Sequence, residues 1–151
     1  MDGQDSREFF VLPQRPEEAG YYTYGTPSGG AAQYAHPSTL SFLFWLESRW
    51  AAVEKRKFGV GNISLADGAA FPPHISHRSG LRVDIRPLRK DGAHAPVSYR
   101  NSNYDQKATK RLISLIISSN MVSKVMFNDP DIVGVKYLVG HDDHIHVEVL
   151  K

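Results

Sequence analysis

Two short segments of the chain alternate apolar and polar residues, and this period of two restricts the fold more than any other feature. In residues 81–86 and 144–149, every second side chain is a branched aliphatic one. Successive side chains of a β-strand point to opposite faces of its sheet, so each segment is predicted to be a strand with one apolar and one polar face. The apolar positions are Leu81, Val83, Ile85, Ile145, Val147 and Val149.

Two longer segments place apolar residues at helical spacing instead. A helix capped by Ser38 or Thr39 is predicted to run to about residue 57, and a second is predicted over residues 105–121. Further strands are predicted over residues 59–65, 124–127 and 133–139. The apolar side of the second helix is expected to consist of Leu112, Ile113, Leu115, Ile116 and Ile117. Two long helices among several short strands favour a single α+β domain, with a mainly antiparallel sheet flanked by the helices.

Composition limits the kinds of site that this chain can form. The 151 residues include seven histidines and no cysteine, so a metal site would have to use imidazole and carboxylate ligands rather than thiolates. The 18 basic and 16 acidic residues give a formal charge of +2, and 41% of the residues are hydrophobic. These values exclude a disordered charged tail and a fibrous repeat. Because the charge is weak and no basic, aromatic-interleaved stripe is present, nucleic acid is not expected as a partner.

Localisation signals are also missing from the sequence. No apolar run approaches the ~18 residues that a membrane-spanning helix needs. The chain starts with polar and acidic residues, which is not the pattern of a secretory signal peptide. We therefore expect synthesis in the cytoplasm without a signal peptide, and no insertion into a membrane.

Five of the seven histidines fall in two segments, residues 74–84 and 141–148, and each segment contains acidic residues. His144 and His146 share one face of their predicted strand, about 7 Å apart along it. If the two strands are neighbours, His77, Asp84 and His146 supply two imidazoles and a carboxylate to one cation. Three protein ligands with an open fourth position are typical of catalytic rather than structural zinc.

Simpler interpretations exist for the same residues. The two histidines of the last strand could form an adventitious metal clip or a chance surface pair. Asp142 and Asp143 could be only a polar turn, and the isolated His94 is expected to be a buried histidine that satisfies a hydrogen bond. The nearby arginines could be a solvated basic face of the sheet. They are Arg78, Arg82, Arg86 and Arg89.

The block Ser76-His77-x-x-Gly80-x-x-x-Asp84, followed by His144-x-His146, resembles motifs of a group of zinc peptidases. This group includes lysostaphin-type endopeptidases, D-alanyl-D-alanine metallopeptidases and hedgehog-like domains, and the chain is most similar to the penicillin-insensitive murein endopeptidases. The supporting stretches are residues 34–37, 74–77, 127–130 and 140–147. The similarity covers residues 33–151, about four-fifths of the chain, which are expected to form the metallopeptidase domain. Residues 1–32 are expected to be an irregular N-terminal segment packed on or preceding that domain.

The resemblance implies a specific site. His77, Asp84 and His146 match the three ligands of one Zn²⁺ per chain, and His144 matches the catalytic histidine. His74 and His141 match additional active-site histidines. His36 falls in the family's His-Pro element, where it is a weak candidate for substrate binding.

The resemblance also implies a reaction and a partner. Enzymes of this family hydrolyse peptide cross-links of peptidoglycan, typically between D-alanine and meso-diaminopimelate, so peptidoglycan is the expected partner and the cell wall, in the periplasm or cell envelope, the expected place of action. Secreted members carry a signal peptide and cysteines, which this chain lacks, and the link between residues 130 and 141 is shorter than usual. A phage lysis enzyme, or an effector with a delivery machine and an immunity protein, fits these departures. A monomer suffices for the chemistry.

Roles for the remaining residues follow from the chemistry. The sequence has no HExxH motif and no Glu before the last histidines, so the general base must be an imidazole or Asp84 itself, and His144 is the first candidate. His141 or His74 could stabilise the oxyanion. Asp142 or Asp143 could fix a histidine tautomer, or only cap a loop. Arg82 and Arg86 could bind carboxylates of a stem peptide, or be ordinary charges on the sheet surface.

Three other functions remain open at this point. A D,D-carboxypeptidase or an amidase would use the same zinc chemistry on peptidoglycan stem peptides. A binding module could keep the zinc and lack catalysis, although His144 beside a complete ligand set argues against this. A metal-dependent nuclease is disfavoured by the weak net charge.

Overall fold

A computed structural model describes residues 3–73 and 77–151 of the chain. These residues form one five-stranded sheet, one two-stranded sheet and two α-helices, which confirms the predicted α+β class. The strands are β1 (Phe10–Val11), β2 (Tyr21–Thr23), β3 (Tyr34–Ala35), β4 (Phe58–Val60), β5 (Arg82–Arg86), β6 (Val122–Met126) and β7 (Ile145–Val149). The helices are α1 (Pro37–Ala51) and α2 (Gln106–Ser118), and a short 3-10 helix covers Ala66–Gly68.

The larger sheet has the strand order β2-β4-β5-β7-β6. Its pairs are antiparallel except for β2 with β4, and the small sheet pairs β1 with β3, also antiparallel. The prediction of a mainly antiparallel sheet is therefore confirmed. Strands β5 and β7, which carry the two alternating segments, lie side by side at the middle of the sheet.

The alternating pattern separates the two faces of the sheet as predicted. Val83, Ile85, Ile145 and Val147 are fully buried, and they belong to one hydrophobic core with residues of both helices. The helical part of that core includes Leu43, Leu46, Trp50, Leu112, Ile113 and Ile116. The intervening positions, which include Asp84 and His146, point to the opposite face of the sheet.

Helix α1 starts and ends earlier than predicted. Its N-cap is His36, whose Nδ1 accepts a hydrogen bond from the Ser38 backbone N–H at 3.0 Å, whereas Thr39 is buried inside the first turn. The helix ends at Ala51 rather than near residue 57. The indole N–H of Trp50 donates to the Arg56 carbonyl at 2.7 Å, and this bond accompanies the fold-back of the chain after the last turn. The prediction placed both ends of this helix too far along the chain.

Helix α2 starts as predicted, because the side chain of Asp105 caps it by accepting the Ala108 N–H at 2.9 Å. Its buried side differs from the predicted one. Ala108 and Thr109 belong to the buried side, whereas Ile117 is exposed. Apolar residue type alone therefore misassigned the last turn of the helix.

The predicted strand over residues 133–139 is wrong. This segment forms only an isolated bridge between Lys136 and Met126, and most of its apolar side chains are in solvent: Val133 is 87% exposed and Val139 is 81% exposed, whereas Val135 packs partly buried against the core. Gly134 has a positive φ of 92°, which is incompatible with a continuous strand. The predicted strand over residues 59–65 is likewise shorter, since β4 ends at Val60.

The first 32 residues are not irregular throughout. Strand β2 forms an edge of the main sheet beside β4, and β1 pairs with β3. Leu12 and Tyr21 are fully buried in the same core as the helices. The abundance of Pro and Gly hid these strands because each is only two or three residues long. Among the described residues, no helix combines the length and apolar character needed to cross a membrane.

Candidate metal centre

The register of strands β5 and β7 brings two predicted ligands together. Asp84 lies directly opposite His146 across the strand pair, and the distance from Asp84 Oδ1 to His146 Nδ1 is 3.4 Å. His77 joins them from the loop before β5, with its Nε2 3.2 Å from Asp84 Oδ2. One potential ligand atom from each residue lies within 4.8 Å of the other two.

This cluster of His77, Asp84 and His146 is buried, with side chains from residues that are only 3%, 8% and 3% exposed. Two imidazoles and one carboxylate are a donor set that suits zinc and related divalent ions. Such buried, converging ligand atoms could hold a metal ion. It is the one group of three or more potential ligands that the described part of the chain brings together in this way.

A tight turn delivers His77 to the cluster. Gly80 has a φ of +75°, and a Cβ at this position would lie 2.8 Å from the backbone nitrogen of His36 and 2.9 Å from the ring of Phe9. The Gly80 carbonyl accepts hydrogen bonds from the backbone N–H of His36 and from the hydroxyl of Thr39. The start of α1 therefore fixes the turn that leads from His77 into β5.

Hydrogen bonding determines which nitrogen of His77 faces the cluster. Its Nδ1 lies 3.0 Å from the carbonyl oxygen of Ile63, which can only accept a hydrogen bond. Nδ1 therefore carries a proton, and Nε2 is the nitrogen beside Asp84. A carbonyl partner on the outer nitrogen is the usual way in which proteins orient a metal-binding histidine.

The electrostatics of the cluster favour ionised groups. Burial works to raise the pKa of Asp84, but the neighbouring imidazoles of His146 and His77 outweigh burial and bring that pKa well below the usual range. Burial works to lower the pKa of His77, but the hydrogen bond and the charge of Asp84 raise it overall. A cation would take the place of the proton between these groups, because metal ligands bind in their deprotonated forms.

The cluster lies in the wall of an open cleft of about 610 Å³, which is also lined by His141, Asp143 and His144. The ring of His141 lies 4.6 Å from that of His144 and 5.7 Å from that of His146, between centroids. The structure thus brings to one place all five described residues that were predicted to bind metal or act in catalysis, His77, Asp84, His141, His144 and His146. His74 lies outside the described residues.

Asp142 and Asp143 have different contacts. Asp143 Oδ1 lies 2.9 Å from His144 Nδ1, so this carboxylate can hold a proton on Nδ1 and leave Nε2 as the acceptor. Asp142 Oδ1 instead accepts a hydrogen bond from the Asn128 side-chain amide at 2.8 Å. The contact of Asp143 agrees with a role in fixing the tautomer of a histidine, and the contact of Asp142 agrees with a role in capping a loop.

Asn128 is a residue of this site whose role the sequence did not indicate. It is 3% exposed, and its side chain also donates to the Leu138 carbonyl and accepts the Leu138 N–H. Its own N–H donates to the His141 carbonyl at 3.0 Å. Asn128 therefore holds the loop that carries His141. The only sequence signal was its place in the supporting stretch 127–130.

His141 has its own local partners. Its Nδ1 lies 3.2 Å and 3.3 Å from the carbonyls of Leu138 and Val139. Burial is the largest cause of a lowered pKa at His141, followed by the nearby charge of His144. The neutral ring therefore carries its proton on Nδ1.

The two predicted substrate arginines are in different environments. Arg86 lines the cleft, and its guanidinium carbon lies 3.7 Å above the ring centre of Tyr24. Arg82 does not line the cleft; its Nε lies 3.4 Å from Oε2 of Glu148, its direct cross-strand neighbour. The expectation that Arg82 faces the substrate is therefore not supported by its position, whereas Arg86 stays a candidate.

Two other histidines are elsewhere in the structure. His36 does not line the cleft; besides capping α1, it packs edge to face against Phe9. His94 is exposed rather than buried, and its ring stacks on Tyr22 at 3.8 Å between centroids. The expectation of a buried, hydrogen-bonded His94 is wrong, because the loop after β5 stays at the surface.

No protein-family model matches this chain, and no curated protein is significantly similar to it. The resemblance to murein endopeptidases therefore rests on the histidine-containing sequence motifs alone.

Proposed function

We propose that this protein is a zinc-dependent endopeptidase that hydrolyses D-alanyl–meso-diaminopimelyl cross-links of peptidoglycan. One observation carries the proposal: a buried His77, Asp84 and His146 cluster in the wall of an open cleft, with His144 beside it. Three such ligands leave a position for water or substrate, as in catalytic zinc sites.

The protein's own residues supply the other parts of the reaction. His77, Asp84 and His146 would hold the zinc ion, which would supply Lewis-acid chemistry: polarisation of the scissile carbonyl and a lower pKa for water. His144, with Nδ1 held by Asp143, has Nε2 available to take a proton from the attacking water. The same nitrogen returns this proton to the amine that departs as the C–N bond breaks, so the reaction consumes one water and yields a carboxylic acid and an amine.

The cleft surface fits a peptide that carries carboxylates. The guanidinium of Arg86 lies over the ring of Tyr24, and no carboxylate forms an ion pair with it among the described residues. A guanidinium fixed by an aromatic ring is well arranged for two parallel hydrogen bonds to a carboxylate. Leu138 and Val139 add apolar surface to the lining, suited to alkyl side chains of a stem peptide.

The test combines metal analysis with digestion of purified peptidoglycan sacculi. We expect about one zinc per chain, conversion of cross-linked muropeptide dimers to monomers, and loss of both properties in His77→Ala and His146→Ala. Chelation should stop the reaction and zinc should restore it. Full zinc content in both variants would refute the ligand assignment, and intact dimers after digestion by zinc-loaded protein would refute the endopeptidase activity.

A D,D-carboxypeptidase is the second candidate, and Arg86 is the observation that favours it. A terminal carboxylate bound by Arg86 would place the last peptide bond near the cluster, since Arg86 and Asp84 are two residues apart on β5. The same digestion separates the two activities, because a carboxypeptidase releases free D-alanine and leaves dimers intact. A non-catalytic zinc module would bind zinc and release neither product.

A further inference from the structure

We propose that Glu148 is a positioning residue for the metal centre, which orients His146 so that its Nδ1 is the ligand atom. This inference rests on the proposed metal-binding function. It assigns a role to a carboxylate that neither the sequence motifs nor the ligand cluster includes.

The two nitrogens of His146 face two different carboxylates. Nδ1 lies 3.4 Å from Oδ1 of Asp84, and Nε2 lies 3.3 Å from Oε2 of Glu148. A neutral imidazole has one N–H and one lone pair, and an ionised carboxylate only accepts hydrogen bonds. The proton can therefore satisfy only one of the two carboxylates.

Only one of the two possible proton positions on His146 leaves the cluster able to bind a cation. With the proton on Nε2, His146 donates to Glu148, and the Nδ1 lone pair and Asp84 are both free to bind one metal ion. With the proton on Nδ1, the imidazole blocks the cluster and its other lone pair faces the Glu148 carboxylate. Only the first arrangement lets His77, Asp84 and His146 act together.

Strand geometry and the guanidinium of Arg82 hold Glu148 in place. His146 and Glu148 are two residues apart on β7, so their side chains emerge on the same face. Arg82 on β5 and Lys124 on β6 are the cross-strand neighbours of Glu148. Arg82 also contacts the same carboxylate oxygen that lies beside His146, at 3.4 Å. Arg82 therefore acts on the metal centre through Glu148 and not through the substrate.

The test measures zinc affinity and the histidine tautomer in the same set of proteins. Glu148→Ala removes the acceptor, Glu148→Gln keeps an amide oxygen that can accept the Nε2 proton, and Glu18→Ala is the control at an exposed residue outside the cleft. Zinc affinity is measured by competition with a chromophoric chelator. The tautomer of His146 is measured by ¹⁵N NMR of the metal-free protein.

We expect Glu148→Ala to weaken zinc binding by about 10- to 100-fold, the usual effect of losing a partner of a metal ligand. Glu148→Gln should keep most of the affinity, and Glu18→Ala should keep all of it. In the wild-type protein, the proton of neutral His146 should be on Nε2, and this preference should be lost in Glu148→Ala.

Three results would overturn the inference. A wild-type His146 with its proton on Nδ1 would do so without any variant, even if Glu148→Ala fails to fold. Unchanged zinc affinity and tautomer in a folded Glu148→Ala would do so as well. Loss of zinc in Glu148→Gln as complete as in His146→Ala would make Glu148 a ligand instead. If the wild-type protein binds no zinc, the proposed function fails, whereas the tautomer measurement still tests the role of Glu148.

Discussion

At the scale of single residues, the contact between Asp143 and His144 separates catalysis from metal binding. His144 lines the cleft, and its Nδ1 lies 2.9 Å from Asp143 Oδ1. His144 does not belong to the cluster of His77, Asp84 and His146. We expect His144→Ala to keep its zinc and to lose activity by ~10²-fold or more, the usual contribution of a general base. Metal analysis and dimer cleavage on the same samples measure both quantities.

Asp143→Asn provides a graded comparison, because its amide oxygen can still accept the Nδ1 proton of His144. Its activity should fall much less than that of His144→Ala. Turnover near the wild-type rate in His144→Ala would assign the base to another group, such as His141.

Gly80 is the residue at which backbone conformation and close packing meet. We expect Gly80→Ala to destabilise the fold and weaken zinc binding, since a Cβ would strain the left-handed backbone and clash with His36 and Phe9. Gly29→Ala is a matched control, because Gly29 has nearly the same φ, +74°, with nothing within 4 Å of its Cβ position. The left-handed strain alone costs about 1–2 kcal/mol, so Gly29→Ala should lose roughly this amount and Gly80→Ala more.

Denaturant unfolding gives the two free energies, and the chelator competition described above gives the zinc affinities. Zinc affinity should be unchanged in Gly29→Ala. Equal losses of stability in the two variants would show that the contacts with His36 and Phe9 cost nothing.

At the scale of elements, an ion-pair network joins the end of α1 to the start of α2. Arg56 contacts Glu54 and Asp105, each at 2.8 Å, and Asp105 caps α2. The Arg56 hydrogen bond lowers the pKa of Glu54 to about 2. Burial works to raise the pKa of Asp105, but the Ala108 N–H and Arg56 lower it overall.

This network predicts a pH dependence of stability. A carboxyl group whose pKa is lower in the folded than in the unfolded state stabilises the fold when it is ionised. The contribution is present above about pH 4 and disappears as the pH falls towards about 2. We expect the free energy of unfolding of the wild-type protein to exceed that of Arg56→Met by about 1 kcal/mol at pH 7. This difference should shrink as the pH falls from about 4.5 to 2. Unfolding of both proteins across this range measures it. Lys55→Met, at an exposed neighbour, is the control and should show no such pH-dependent difference.

Elements with a periodic pattern were predictable from the sequence, and elements defined by single contacts were not. The alternation of residues 81–86 and 144–149 predicted which faces of β5 and β7 are buried, because a strand with one apolar face has only one favourable orientation. The end of α1 depends on a bond from Trp50 to Arg56, and β2 depends on pairing with β4. Neither feature leaves a local pattern in the sequence.

At the scale of the whole molecule, the cluster of potential metal ligands was predictable because three local features place its residues. These are the alternation of β5, the alternation of β7 and the turn between His77 and β5. The direct pairing of Asp84 with His146 was an assumption in the sequence and is a fact of the sheet register. Asn128 was not predictable as a site residue, whereas the alternation in β7 does place Glu148 on the same face as His146. The role of Asn128 depends on how the 138–142 loop folds against the residues after β6.

Metal binding should therefore stabilise the entire domain. The cluster links the loop at His77 to the two middle strands, and ligands that converge only in the folded chain convert binding energy into folding energy. Free zinc at a hundred times its Kd adds ~2.7 kcal/mol to the free energy of unfolding, which raises Tm by about 5–10 °C for a domain of this size. Thermal unfolding with zinc and with chelator measures the shift. His146→Ala should show none, and an equal Tm for the wild-type protein in both conditions would mean that no metal is held by the folded cluster.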